Sequence, residues 1–209
     1  SIEGVDVVLG AKEKFKLLHL FDEFIKQEKT IIHREDINKT YEFHHAFSSD
    51  NRTRAFLKVQ DGCNYKCSFC TIPLARGISR SPSIESVIFH AKRLIDDGFK
   101  EIILTGVNAG DFGYGREDSF LDLLSELHEL DGLNRLRISS IEPNLLHPEI
   151  IDLAASSSTL QPHFHLPLQS GSDTVLRLMK RRYDTQLYQK RVEYILSLIH
   201  ISEPTRRIT

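Results

Sequence analysis

From residue 55 onward the chain repeats one pattern four times: a short apolar run, a loop, then a stretch with helical spacing. Residues 55–59 read as a strand entering a loop, and residues 84–97 as a helix closed by Gly98. Residues 101–105 form the second apolar run, followed by a glycine-rich loop and a helix over 120–130 ending near Gly132. The third run covers 136–141 and ends in Glu142-Pro143, and its helix starts at His147-Pro148 and reaches about Ala155. The fourth covers 163–168 and meets a turn at Gln169-Ser170-Gly171-Ser172. Ser172 or Asp173 caps the next helix, over 174–181, and Thr185 caps one more. Strand and helix in alternation build a parallel α/β sheet, either open and doubly wound or curved into a (β/α) barrel. The unusual residues favour the barrel, because they follow the C-terminal ends of successive strands, where barrel enzymes keep their sites. A whole barrel takes about 250 residues, so four units make a partial one.

The three cysteines, Cys63, Cys67 and Cys70, lie within eight residues after the first strand, spaced C-x3-C-x2-C, and the chain has no other. An odd, clustered set is no disulfide framework and fits a reducing compartment. Thiolates ligate both zinc and iron–sulfur clusters. Structural zinc takes four ligands, so here it would need a histidine such as His90, His163 or His165. A cubane held by three thiolates keeps one iron open for a substrate or cofactor, and that is the reading adopted here. Zinc and three unrelated thiols remain the competing readings.

A formal charge of −2 rules out a global basic field for nucleic acid. No run approaches the roughly 18 apolar residues of a membrane span, and the first residues are no signal peptide. A cytoplasmic protein without a membrane partner is expected. Before the repeats, residues 5–10 read as a short buried strand. Phe15, Leu18, Phe21 and Ile25 have helical spacing over residues 12–27, with Leu17 and Phe24 widening the face. Residues 29–54 read as a polar connection.

The cysteine loop and the loops beyond it resemble the radical S-adenosylmethionine (SAM) superfamily, and within it the methylthiotransferases. The resemblance rests on Gln60-Asp61-Gly62-Cys63-Asn64, Cys70-Thr71-Ile72-Pro73, Ala75-Arg76-Gly77 and Arg80-Ser81. It extends to Leu104-Thr105-Gly106-Val107-Asn108, to Leu166-Pro167-Leu168-Gln169-Ser170-Gly171-Ser172-Asp173 and to Met179-Lys180-Arg181. Arg137-Ile138-Ser139-Ser140-Ile141-Glu142-Pro143, with Gly4-Val5-Asp6-Val7-Val8-Leu9-Gly10, is most similar to the branch acting on N6-threonylcarbamoyladenosine in tRNA. The alternatives are the branches for isopentenyladenosine tRNA or a ribosomal protein and, in another class, a zinc-stabilised RNA-binding module without catalysis.

The resemblance implies a fold: a partial (β/α) barrel of the radical SAM type over residues 51–195, preceded over 1–50 by the remnant of an N-terminal α/β domain. It implies a [4Fe-4S] cluster on Cys63, Cys67 and Cys70, SAM on its open iron, tRNA as substrate and an electron donor of flavodoxin type. Family members also carry a second [4Fe-4S] cluster in the N-terminal domain, whose cysteines are missing here. Phe69, Gly106, Asn108, Ser140, Glu142 and Gln169 are the implied cofactor-binding residues. Gly106 and Asn108 also fit an ordinary flexible loop, Glu142 a helix-opening carboxylate before Pro143, and Gln169 a turn residue. Arg76 and Arg80 reach a cofactor carboxylate, RNA phosphate or only solvent, and Lys180-Arg181-Arg182 complements a helix dipole. Residues 196–206 resemble a reading frame of a transposase adapter used for sequencing libraries, so residues 196–209 are expected to be a non-native tail.

Overall fold

The computed structural model describes residues 4–21, 29–48 and 53–199. Near its start, β1 (Val7–Leu9) pairs in parallel with β2 (Ile31–His33), Val8 opposite Ile32. This corrects two sequence expectations. The supposed polar connection supplies a strand, because a three-residue run is too short to show a period. The first strand is also not buried, since Val8 and Ile32 are both exposed. The helix expected over 12–27 opens as a 3-10 turn (Glu13–Lys16) and becomes α1 (Leu17–Phe21), on which Leu18 is 81% exposed. Phe24 and Ile25, and the Phe21 side chain, lie outside the described residues.

The main sheet runs in the order β3 (Phe47–Ser48), β4 (Ala55–Lys58), β5 (Glu101–Thr105), β6 (Arg135–Ile138). β3 is an antiparallel edge, and β4, β5 and β6 are parallel. Two parallel neighbours bury β5 on both faces, which is why Ile102, Ile103 and Leu104 follow one another without polar alternation. The helical layer consists of α2 (Ile72–Arg76), α3 (Ile84–Asp96), α4 (Phe120–Leu127), α5 (Pro148–Ser156), α6 (Asp173–Leu178) and α7 (Thr185–Leu198). On α3, Ile84, Val87, Ala91 and Leu94 form one buried stripe. Ser83 caps its start through the Ser86 N–H, and Gly98, at φ +96°, takes the left-handed turn after it. Ser119 and Asp122 close a capping box on α4. α3 packs on α4, α4 on α5 and α5 on α7, so successive crossovers line one face of the sheet. That is the arrangement of a barrel arc, as the placement of the unusual loops predicts.

The fourth strand is where the structure departs. Leu160 makes an isolated parallel bridge with Leu136, and from the third strand's side the Ile141 N–H reaches the expected strand, at the His165 carbonyl, 3.2 Å. Pro162 and Pro167 remove donors from the segment. Its carbonyls bond forward instead: the Tyr183 hydroxyl donates to Pro167 and Leu168 at 3.0 and 2.9 Å, and Tyr188 to Leu166. Burial pushes the Tyr183 phenol up to about 12. The last helix is capped by Asp184, not Thr185, and Ser172 precedes α6 without a side-chain cap. Residues 200–209, most of the expected non-native tail, lie outside the described residues.

A histidine cluster fastens residues 43–48 across α3. The His45 ring lies 4.0 Å from that of His90, its Nε2 is 2.9 Å from Ser86 Oγ, and His44 stacks on Phe15 at 3.6 Å. Burial lowers the pKa of all three imidazoles, and the neighbouring His90 adds to this for His45, as does Arg93 for His90. A depressed histidine binds fewer protons folded than unfolded, so its stabilisation is complete above the ordinary value near 6.5 and declines as pH falls below it. The melting temperature should therefore drop between pH 7.5 and 5.5, and drop less in His45→Gln. Equal pH slopes in parent and variant would remove the cluster as the cause.

Candidate functional site

The loop after β4 is fastened by two side chains. Gln60 is fully buried, and its Nε2 donates to the carbonyls of Asp61 and Gly62 and to Ser79 Oγ at 3.1, 2.8 and 2.9 Å. Its Oε1 accepts the Asn108 N–H at 2.8 Å, joining the cysteine loop to the loop after β5. A Cβ at Gly106 would stand 3.0 Å from Gln60 Cβ, so the glycine permits this close approach. Asp61 exchanges backbone hydrogen bonds with Arg80, and its carboxylate takes Arg80 at 2.9 Å, Arg76 at 3.1 Å, Lys58 at 3.5 Å and the Gly62 N–H at 2.9 Å. Arg76 and Arg80, expected at a ligand or in solvent, are thus engaged with Asp61.

Cys63 follows directly, its N–H on the Gly77 carbonyl at 3.0 Å and its Sγ accepting the Tyr65 N–H at 3.4 Å. The Cys70 N–H closes a turn onto the Cys67 carbonyl at 3.1 Å, and Ser68 donates to the Met179 carbonyl at 3.2 Å. All three thiols are free and half-buried. Burial pushes the Cys63 thiol up, with Asp111 adding to it, and raises the Cys67 thiol against the opposing charge of Arg181. Both therefore favour the protonated form until a cation draws the proton off.

Around the thiols stand polar groups that satisfy no one. Among the described residues, both carboxamide atoms of Asn108, which lies beside the Tyr65 hydroxyl, are buried without a close hydrogen-bond partner, as are Glu142 Oε2, Asn144 Oδ1, Asp111 Oδ2 and Arg181 Nε. Buried orphans of this density mark room for a ligand or water. Glu142 Oε1 is held by Arg181 at 3.0 Å, the Arg181 guanidinium lies 5.2 Å from the centre of the Phe69 ring, and burial raises the Glu142 carboxyl against the pull of that arginine. The structure therefore gathers Cys63, Cys67, Phe69, Cys70, Gly106, Asn108 and Glu142 around one region. Ser140 is half-buried two residues before Glu142. Gln169 is exposed with φ +67°, the left-handed conformation of a turn. His163 and His165 are exposed, and His90 packs at a tilt against His45, so none is drawn into a cysteine–histidine set. Sequence reasoning missed Tyr65, Asp111 and Asn144 and read Arg181 as a helix-dipole cation. Their partners are too far away in sequence for spacing to reveal.

The family model of the radical SAM superfamily matches residues 57–202. The chain belongs to the radical SAM superfamily. Among its radical SAM relatives, the threonylcarbamoyladenosine tRNA methylthiotransferase MtaB of Bacillus subtilis is 41% identical over 92% of this chain and 44% of that protein. The Aquifex aeolicus protein of the same name is 36% identical over 94% and 48%. The tRNA-2-methylthio-N(6)-dimethylallyladenosine synthase of Finegoldia magna is 32% identical over 90% and 41%. The chain thus spans under half the length of these relatives. In fold it is similar to the radical SAM methyltransferase TsrM of Kitasatospora setae, solved with cobalamin and a [4Fe-4S] cluster: TM-score 0.56, 18% identity, over 68% of this chain and 28% of that one. The partial α/β architecture expected from the strand–helix alternation is that of the superfamily.

Proposed function

We propose that Cys63, Cys67 and Cys70 ligate a [4Fe-4S] cluster with one iron open to SAM, and that the whole protein methylthiolates C2 of N6-threonylcarbamoyladenosine in tRNA. The observation that carries the cluster is three free thiols fastened at the end of β4 beside orphaned Asn108 and Glu142. A closed zinc site would need a fourth ligand, and His163 and His165 are exposed while His90 is packed against His45, which disfavours it. Three thiolates spread along a loop suit a larger cluster. Reduced and bound there, the cluster would supply the electron that cleaves the SAM sulfonium to methionine and a 5'-deoxyadenosyl radical.

The chain's own residues would orient the cofactor. Asn108 offers both a donor and an acceptor, Glu142 offers Oε2, and Gly106 keeps Gln60 and the second loop close. Ser140 and Gln169 would contribute from the third and fourth strand ends, and Phe69 would screen the cluster beneath Arg181. Residues 51–195 would form the radical unit. Sulfur insertion would require a second cluster on a preceding domain, of which 1–50 is the remnant, and a reductant of flavodoxin type. The threonylcarbamoyl substrate is favoured by the 41% and 36% identical relatives. The Finegoldia relative supports dimethylallyladenosine as the second reading.

Anaerobic reconstitution with iron and sulfide tests the cluster: about four irons per chain and an electron paramagnetic resonance (EPR) signal altered by SAM are expected. Stoichiometric zinc without a SAM-dependent signal would replace the proposal with the binding module. Full-length protein offered the two modified tRNAs separates the substrates.

A further inference from the structure

Between Cys63 and Cys67 the backbone has neither helix nor ladder, so nothing regular fixes the distance between their thiols. Tyr65, in the middle of that span, is 4% exposed and points inward. Its hydroxyl accepts a hydrogen bond from Asn144 Nδ2 at 2.7 Å, and the Arg182 guanidinium lies over its ring at 4.0 Å. Arg182 also reaches the Asn64 carbonyl at 3.4 Å. Asn144 belongs to the loop after β6, and Arg182 follows α6, so the ring is clamped by two segments far away in sequence. The Ser68 N–H bond to Met179 ties the other flank of Cys67 to the same 179–182 stretch.

We propose that Tyr65 is a positioning residue: clamped between Arg182 and Asn144, it sets the separation of Cys63 and Cys67 before any metal arrives. The physical reason is entropic. Each freely rotating residue of the loop loses conformational freedom when its cysteine is captured, and an anchor in the middle removes much of that loss in advance. The clamp also links the cysteine loop to the loop carrying Glu142 and to the segment carrying Arg181, so thiol spacing and ligand groups are fixed together. The consequence for loading rests on the cluster reading, whereas the positioning is a property of the metal-free protein.

The test uses the full chain with Tyr65→Ala, Tyr65→Phe and Asn144→Ala, in two arms. In the metal-free reduced protein, alkylation by a neutral thiol reagent is mapped to each cysteine alongside the melting temperature. Tyr65→Ala should speed Cys63 and Cys67 roughly fivefold, the factor expected for losing the ring and its cation–π contact with Arg182, and Cys70 by less than about twofold. Tyr65→Phe keeps the ring under Arg182 and should restore most of the protection, and Asn144→Ala should match it. Unchanged rates, or equal acceleration of all three thiols in step with a lower melting temperature, would overturn the proposal. In the second arm, Tyr65→Ala should hold less iron and give a broadened SAM-dependent EPR signal, with Tyr65→Phe near the parent; a parent-like Tyr65→Ala would also overturn it. A parent that holds no cluster refutes the cluster reading, while the alkylation arm still decides Tyr65.

Discussion

Serine in place of any one of Cys63, Cys67 or Cys70 is expected to reduce iron from about four per chain to about one or less, with loss of the SAM-dependent signal. Serine matches cysteine in shape, yet its hydroxyl stays protonated where a thiolate is required. The change should leave folding nearly intact. Each thiol is free, and the Cys63 sulfur takes a long hydrogen bond, 3.4 Å, from the Tyr65 N–H. The loop is held through backbone groups, by Gly77 at Cys63 and by Met179 at Ser68. Melting within about 2 °C of the parent is the expected control, as for substitutions that break no buried contact. A Cys70→Ser protein that kept four irons and its SAM-dependent signal would take Cys70 out of the ligand set. One that unfolded would show that the thiols support the fold themselves.

What could be read in the sequence, and what could not, follows from the range of the interactions. The α3 stripe, the β5 run and the Gly98 stop are local, and each was legible within a few residues. The thiols and Glu142 were legible because strand ends and loops can be counted along the chain. Arg76 and Arg80 were visible as charges, but their common partner was not. Asp61 and Arg80 are 19 residues apart and meet only because the chain doubles back into an antiparallel bridge. Arg181 stands at a helix end, where a cation commonly complements the dipole, and only the fold sets it against Glu142, 39 residues earlier. The fourth strand failed for a local reason that its own sequence contains. Alternation argued for a ladder, but Pro162 and Pro167 withdrew donors, and the tyrosines that take its carbonyls come after α6. The exposed apolar residues of the N-terminal pair are a different matter, since hydrophobic spacing says that a face exists and not what it meets.

The largest loss of stability is expected from Asp61→Ala. The Asp61 side chain is only 8% exposed and collects Arg80, Arg76 and Lys58 together with the Gly62 N–H. Burial alone would raise its carboxyl, yet the Arg76 hydrogen bond, the Gly62 N–H and the charges of Lys58 and Arg80 hold it below the ordinary range. Removing it leaves Arg80, whose side chain is 10% exposed, without its carboxylate. Breaking a buried pair this way commonly costs about 3–5 kcal/mol. Arg76 is half exposed and Arg80 keeps the carbonyls of Glu42, Arg76 and Ile78, so about 3 kcal/mol is the better figure. For a chain of this size that lowers the melting temperature by roughly 6–12 °C. Asp61→Asn, which can still accept hydrogen bonds, should fall between the two. The pH dependence has a fixed sign: a depressed carboxyl stabilises above its ordinary value, and that stabilisation is lost as pH falls through the folded-state value. The parent should therefore show an acid loss of stability below about pH 4 that Asp61→Ala lacks, separate from the histidine decline near pH 6. Because Asp61 and Cys63 share one turn, Asp61→Ala should also expose Cys63 to alkylation, whereas the cysteine variants leave the fold in place. A melting temperature within about 2 °C of the parent would mean that the arginines find other partners and that Gln60 alone holds the loop.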